Sequence, residues 1–274
     1  MTIKLARPAQ PRRWRTLALA SATVTLAAMP ALAQNKAALA APPRADATLW
    51  LAQAEGGEGG EAGAVANATP DVAYLARLSI VEGHLRAALD LYRKGLADDA
   101  IGLSYHPEAE MMDDVRADLA ARGAADITPA MTEFSATLER GAPLAEADTA
   151  LAEVQAAIAA AMVPEADELR ARFDAITAVL RAAASEYASS TEGGTVGDVM
   201  AYHEAYAFVA TARGLASELA KVPAAKPAAD RALAAMTEAD TAFGDMSLTT
   251  YQVSDPAILM AVAAKVELIA SSLR

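Results

Sequence analysis

The 274-residue sequence has no cysteine, which rules out disulfides, thiolate metal sites and cysteine nucleophiles. Aromatic residues make up only 5% of it, so a packed core must be built largely from small side chains, with alanine dominant. That composition, with glycine concentrated between segments, favours thin, closely packed helices over a sheet. Beyond residue 33 no stretch is apolar for the roughly 20 residues needed to cross a bilayer, so no membrane insertion is expected. Positive charge is also scarce, with 23 Lys and Arg against 35 Asp and Glu. Nucleic acid and anionic membrane surfaces are therefore poor partners, whereas cations are attracted. Sequence signatures of catalysis are missing too. His203-Glu204 is followed by Ala205-Tyr206-Ala207 rather than completing a HExxH zinc motif, and there is neither a GxSxG elbow nor a phosphate-binding loop. A peptidase pattern of His, two residues and Glu fails at every histidine, so a non-catalytic protein is expected.

The N-terminus has the layout of an export signal. Lys4, Arg7, Arg12, Arg13 and Arg15 precede the apolar run Thr16 to Met29, and Ala31-Leu32-Ala33 forms a small-residue cleavage site. A signal peptide over 1–33 and a periplasmic location are expected. Arg12-Arg13 also admits a twin-arginine route, although Arg15 falls where that signal prefers an apolar residue. Cleavage would remove five of the 23 basic residues and none of the 35 acidic ones, leaving a formal charge near -17. Residues 34–68 are rich in Ala, Gly and Glu without sustained periodicity and read as a disordered linker.

From residue 69 the punctuation becomes regular. Proline follows Thr69, His106, Thr128 and Asp255 at expected first helical positions, and Gly95, Gly123 and Gly141 stand where helices end. These marks predict helices over about 70–94, 107–122, 129–140, 144–162, 165–190, 196–221, 226–243 and 256–273, with a short one near 97–103. The fold expected for 69–274 is all-α, an antiparallel bundle of about eight helices. In the first helix, Leu75, Leu78, Leu85, Leu89 and Tyr92 form a buried stripe that Glu82 interrupts. Ile80, Val81, His84, Ala88 and Leu91 form a second strip, so His84 is expected to be buried.

Each of the three histidines has a carboxylate close by: Glu82 with His84, His106 with Glu108 and Glu110, and His203 with Glu204. In a chain without thiols, imidazole and carboxylate are the donors a first-row transition metal prefers. His106 and Glu110 are four residues apart and can chelate from one helical face, with Asp113 and Asp114 a turn later. His106 is expected at the N-cap, where the helix dipole disfavours a cation but four nearby acids offset it. The bland alternative is that these acids simply complement a helix N-terminus. Glu82 and His84 are two apart and His203 and Glu204 adjacent, so neither pair converges from a regular helix, and a shared site needs tertiary contact. The candidate metal ligands are thus His84, His106, Glu110, His203, Glu82 and Glu204, for iron first and copper second, Met111-Met112 being the feature that admits copper. The rival reading is a structural or protein-interaction module of the cell envelope in which the histidines are core residues.

One stretch adds a resemblance. Val179 to Tyr187, a loop with Gly193 and Gly194, and Tyr202-His203-Glu204-Ala205-Tyr206-Ala207-Phe208 resemble the periplasmic helical region of bacterial high-affinity iron permeases, in which a helix ending in Tyr meets a glycine-containing loop and a Tyr-x-Glu-x-x-x-Phe helix. Tyr202, Glu204 and Phe208 match that pattern in order and spacing. The Arg-Glu-x-x-Glu iron motif of the permeases' membrane part is absent from the sequence. The resemblance therefore implies a stand-alone partner of metal uptake, working with a membrane iron-uptake component, rather than a transporter.

Overall fold

Regular punctuation in the sequence becomes twelve helices in a computed structural model that describes residues 57–162, 168–247 and 250–273. In chain order these are α1 (Gly57–Val65), α2 (Pro70–Arg93), α3 (Ala97–Ser104), α4 (His106–Glu110), α5 (Met112–Arg122), α6 (Thr128–Glu139), α7 (Leu144–Met162), α8 (Leu169–Ser190), α9 (Val199–Leu219), α10 (Lys226–Met236), α11 (Asp240–Phe243) and α12 (Ala257–Ser271). Short 3-10 turns cover Glu192–Gly194 and Thr237–Ala239. Among the described residues there is no strand, and no helix is long and apolar enough to cross a membrane. The expected signal peptide and residues 34–56 of the expected linker lie outside the described residues.

Local chemistry sets the helix ends. Thr69 caps α2 by accepting a hydrogen bond from the Val72 N–H, with Pro70 at the first helical position. Gly123 ends α5 in the left-handed conformation, φ 65°. The single helix expected over 107–122 is broken at Met111, whose φ of -146° and ψ of -8° separate α4 from α5. His106 is consequently the first residue of α4 and not its N-cap, a place taken by Tyr105. The linker expectation also needs correction. Residues 57–65 form α1, although four of those nine residues are glycine and helix propensity there is poor. Tertiary packing overrides it, with Ala64 and Val65 buried. At Gly60 a Cβ would come within 2.2 Å of Ser185 Oγ, so glycine is what lets α1 lie this close to α8.

Two apolar cores are stacked along the chain. Leu75, Leu78 and Leu89 of α2 pack with Leu103, Phe134 and Val154 of the helices that follow. Phe173, Ile176 and Tyr187 of α8 pack with Tyr202 and Phe208 of α9 and with Val266 of α12. α2 serves both, because Ile80 belongs to the second core while its leucines belong to the first. Glu82, on the leucine side, is held by Arg86, whose Nε donates at 2.8 Å, and by Gln155 of α7, whose Nε2 donates at 3.0 Å. A half-buried carboxylate on an apolar stripe is thereby satisfied within the protein.

Contact between α2 and α9 depends on Gly83. A Cβ there would fall 2.2 Å from Cδ1 and 2.6 Å from Cε1 of Phe208. Gly83→Ala is expected to destabilise the protein by about 1–3 kcal/mol through overpacking, read as a lower urea midpoint at unchanged slope. An unchanged midpoint would show that the two helices do not approach so closely.

Candidate metal centre

At the seam between the two cores, polar side chains meet from five helices: Glu61 of α1, His84 of α2, Glu186 of α8 and Glu204 of α9 are buried, and His106 and Glu110 of α4 close the site on its solvent side. His84 is the hub, with 1% of its surface exposed. Its Nδ1–H donates to the Ile80 carbonyl at 3.0 Å, which fixes the tautomer and leaves Nε2 facing inward. Around Nε2 stand Glu61 Oε1 at 3.1 Å, Glu110 Oε2 at 3.2 Å and Glu204 Oε1 at 3.3 Å. None of the three is aligned to take a hydrogen bond from Nε2, so the oxygens stand around the nitrogen's outward axis, along which it could bind an ion in place of its proton, instead of lying on it. Donor atoms about 2.1 Å from one ion lie about 3.0–3.4 Å from each other in octahedral or tetrahedral geometry, which matches this spacing.

His106 adds a second imidazole. Its Nδ1 donates to Glu204 Oε1 at 3.1 Å and lies 3.6 Å from Glu110 Oε1. The two rings meet edge to face with centroids 6.0 Å apart, and Phe208 closes the other side of His84 at 5.2 Å. Two donor groups can each hold an ion, His84 with His106 and Glu204, and Glu61 with His84 and Glu110. A cleft of about 370 Å³ opens beside Glu61 and Glu110, so the buried centre can be reached from solvent.

The electrostatics are those of a site short of positive charge. Burial raises the Glu61 pKa, with the neighbouring carboxylates Glu110 and Glu204 adding to it and His84 opposing. Burial, then Glu204 and Glu61, pushes Glu186 up to about 9. Burial disfavours the charged form of His84, but Glu61, Glu110 and Glu204 outweigh it and hold the imidazole well above its usual value. The hydrogen bond to Glu204 likewise raises His106. Burial acts on Glu110 in the opposite direction to its two histidines, which prevail and lower it. Glu61 Oε2 and Glu186 Oε1 are buried with no hydrogen-bond partner. Such orphaned oxygens are costly unless a proton or cation reaches them.

Of the six candidate ligands read from sequence, four converge: His84, His106, Glu110 and Glu204. Two do not. His203 is excluded by its own neighbour, since adjacent residues diverge by about 100° around a helix. With Glu204 turned to His84, His203 faces Tyr251, its Nε2 3.1 Å from the phenolic oxygen. Burial and then Lys94 lower its pKa to about 4, as suits a neutral core imidazole. Glu82 is turned away by the same arithmetic, being about 200° from His84, and its partners are Arg86 and Gln155. The break at Met111 also takes Asp113 and Asp114 out of reach. Asp113 pairs with Arg116, which binds Glu108 as well, and Asp114 pairs with Arg77.

Sequence reasoning missed Glu61 and Glu186. Glu186 had a usable signal, because it falls on the buried stripe of α8 with Val179, Ala182 and Ala183. Glu61 had almost none, since its surroundings are mostly glycine.

The iron-permease resemblance can now be placed on structure. Tyr187 donates to the Ala242 carbonyl at 2.7 Å, and the single Tyr202 hydroxyl proton is shared between the carbonyls of Gln252 at 2.7 Å and Phe243 at 3.0 Å. These bonds pin the end of α11 and the segment after it to the bundle. Glu204 enters the centre, and Phe208 packs on His84 and Gly83. No curated protein and no solved structure matches the chain. Residues 164–273, which span α8 to α12, match the family model of the iron permease-associated 4-helix bundle domain, in agreement with the resemblance read from Tyr202, Glu204 and Phe208.

Proposed function

We propose that this is an exported, non-catalytic protein of the periplasm that binds a transition metal, iron above all, at Glu61, His84, His106, Glu110 and Glu204, and presents it to a membrane component of iron uptake. The observation that carries the reading is His84 Nε2, buried and ringed by three carboxylate oxygens at 3.1–3.3 Å with no aligned hydrogen bond. The match to the iron permease-associated domain supports iron uptake as the setting. Oxygen-rich donors with imidazole suit Fe(II), Mn(II) or Zn(II) better than Cu(I), which seeks sulfur. Met112 is buried in the first core and only Met111 lines the cleft beside Glu61 and Glu110, one thioether against several carboxylates, so copper ranks below iron.

A competition titration with Fe(II) under anaerobic conditions tests the reading. Glu204→Gln is expected to weaken binding at least about 10-fold, because it removes a ligand charge shared by both histidines. Glu82→Gln and His203→Gln, outside the centre, should leave affinity within about 2-fold. Equal affinity across all these variants would favour a structural module whose histidines serve the core.

A further inference from the structure

Six side chains meet at the seam, four carboxylates and two imidazoles, and two of the carboxylates, Glu110 and Glu204, face both imidazoles. Glu110 turns Oε2 to His84 at 3.2 Å and Oε1 to His106 at 3.6 Å, so its two oxygens serve different imidazoles. Glu204 Oε1 stands 3.3 Å from His84 Nε2 and 3.1 Å from His106 Nδ1, between the two. Glu61 approaches His84 alone, at 3.1 Å. The two donor groups share His84, whose single inward nitrogen can bind one ion only, so filling both positions leaves Glu110 and Glu204 as the ligands to be shared. This is the layout of two adjacent ions joined by carboxylate bridges.

We propose that the centre is dinuclear, with one divalent ion held by His84 and Glu61, a second by His106, and Glu110 and Glu204 bridging them. The proposal rests on the metal-binding reading above and adds its nuclearity. Charge balance favours two ions. Glu61, Glu110 and Glu204, the three carboxylates nearest the imidazoles, carry up to three negative charges, more than one divalent cation neutralises. Glu186 supplies the fourth carboxylate, with its Oε1 buried and unpartnered. Helical proteins that bind paired metal ions use the same inventory of four glutamates and two histidines, with ions about 3.5–4 Å apart in two-metal sites generally. The two positions differ in access. His84 is 1% exposed and the His106 side chain 35%, so the His84 ion is the retained one and the His106 ion the exchangeable one.

The test loads the full-length chain with Mn(II) under anaerobic conditions, counts bound metal after gel filtration and records low-temperature EPR. The expected result is two Mn(II) per chain and an exchange-coupled multiline spectrum. His106→Ala should hold a single ion with an uncoupled spectrum. Saturation of the unsubstituted chain at one ion would overturn the dinuclear assignment while leaving metal binding intact, as would two ions without coupling. No bound metal at all would overturn both.

Discussion

His84→Ala is expected to lower Fe(II) affinity about 100-fold or more, the largest loss of any single substitution in the centre. Three of the other four ligands are gathered around this nitrogen, since Glu61, Glu110 and Glu204 all lie within 3.3 Å of Nε2. Alanine would remove the one donor common to both ligand groups. Loss of outer-shell partners alone costs 10–100-fold at metal sites, and a buried ligand exceeds that. The metal-free protein should suffer as well. Without the imidazolium, Glu61 and Glu204 lose a partner in a site where they are about 5% exposed, and breaking a buried charge pair costs about 3–5 kcal/mol. Isothermal titration together with urea unfolding separates the two effects. Wild-type affinity in a folded His84→Ala protein would dismiss the centre. In a module with merely structural histidines, stability would fall and no Fe(II) would bind even before substitution.

The helix plan was legible because proline and glycine mark ends by local sterics, and Thr69-Pro70 and Gly123 act as expected. The break at Met111 was not, since neither residue type nor periodicity announces it. For the centre, i to i+4 spacing placed His106 and Glu110 together, and α4 does bring both inward. Helical geometry also required that only one of Glu82 and His84, and only one of His203 and Glu204, face a common point. Which of each pair does so was decided by packing between α2 and α9, through Gly83 and Phe208, and by the Tyr251 contact that draws His203 aside. Glu61 lies 23 positions before His84, and Glu204 lies 98 after His106. Contacts that distant in sequence leave no local pattern. The glycines that lowered α1's helix propensity are also what lets it reach α8, so the feature that hid Glu61 from a sequence reading is the one that places it.

Metal-free protein is expected to lose stability as pH rises from 7 to 9, and metal is expected to abolish that loss. Glu186 has a folded pKa of about 9 against an ordinary 4.5, so the native state retains a proton that the unfolded chain has released. A raised pKa contributes stability that is complete below the unfolded value and lost as pH climbs through the folded one. For Glu186 the loss amounts to about 2–3 kcal/mol between pH 7 and 9. His84, His106 and Glu61 are raised too and act in the same direction. The opposing groups are already spent in this window. His203, lowered to about 4, adds stability as pH rises to 6.5 and nothing beyond, and Glu110, also lowered, is complete above its ordinary value. The raised tyrosines, Tyr105, Tyr187, Tyr202 and Tyr251, start to count only near pH 10. Urea midpoints at pH 7, 8 and 9 should therefore fall steadily in the presence of a chelator. Glu186→Gln, which keeps the shape and removes the ionisation, should flatten most of the slope. Saturating Mn(II) should do the same, because the cation takes over the charge compensation that protons provide in its absence. A metal-free profile that stays level or rises over this range would mean that Glu186 is not held protonated in the fold, and that the carboxylates at the seam are too well solvated to require a cation.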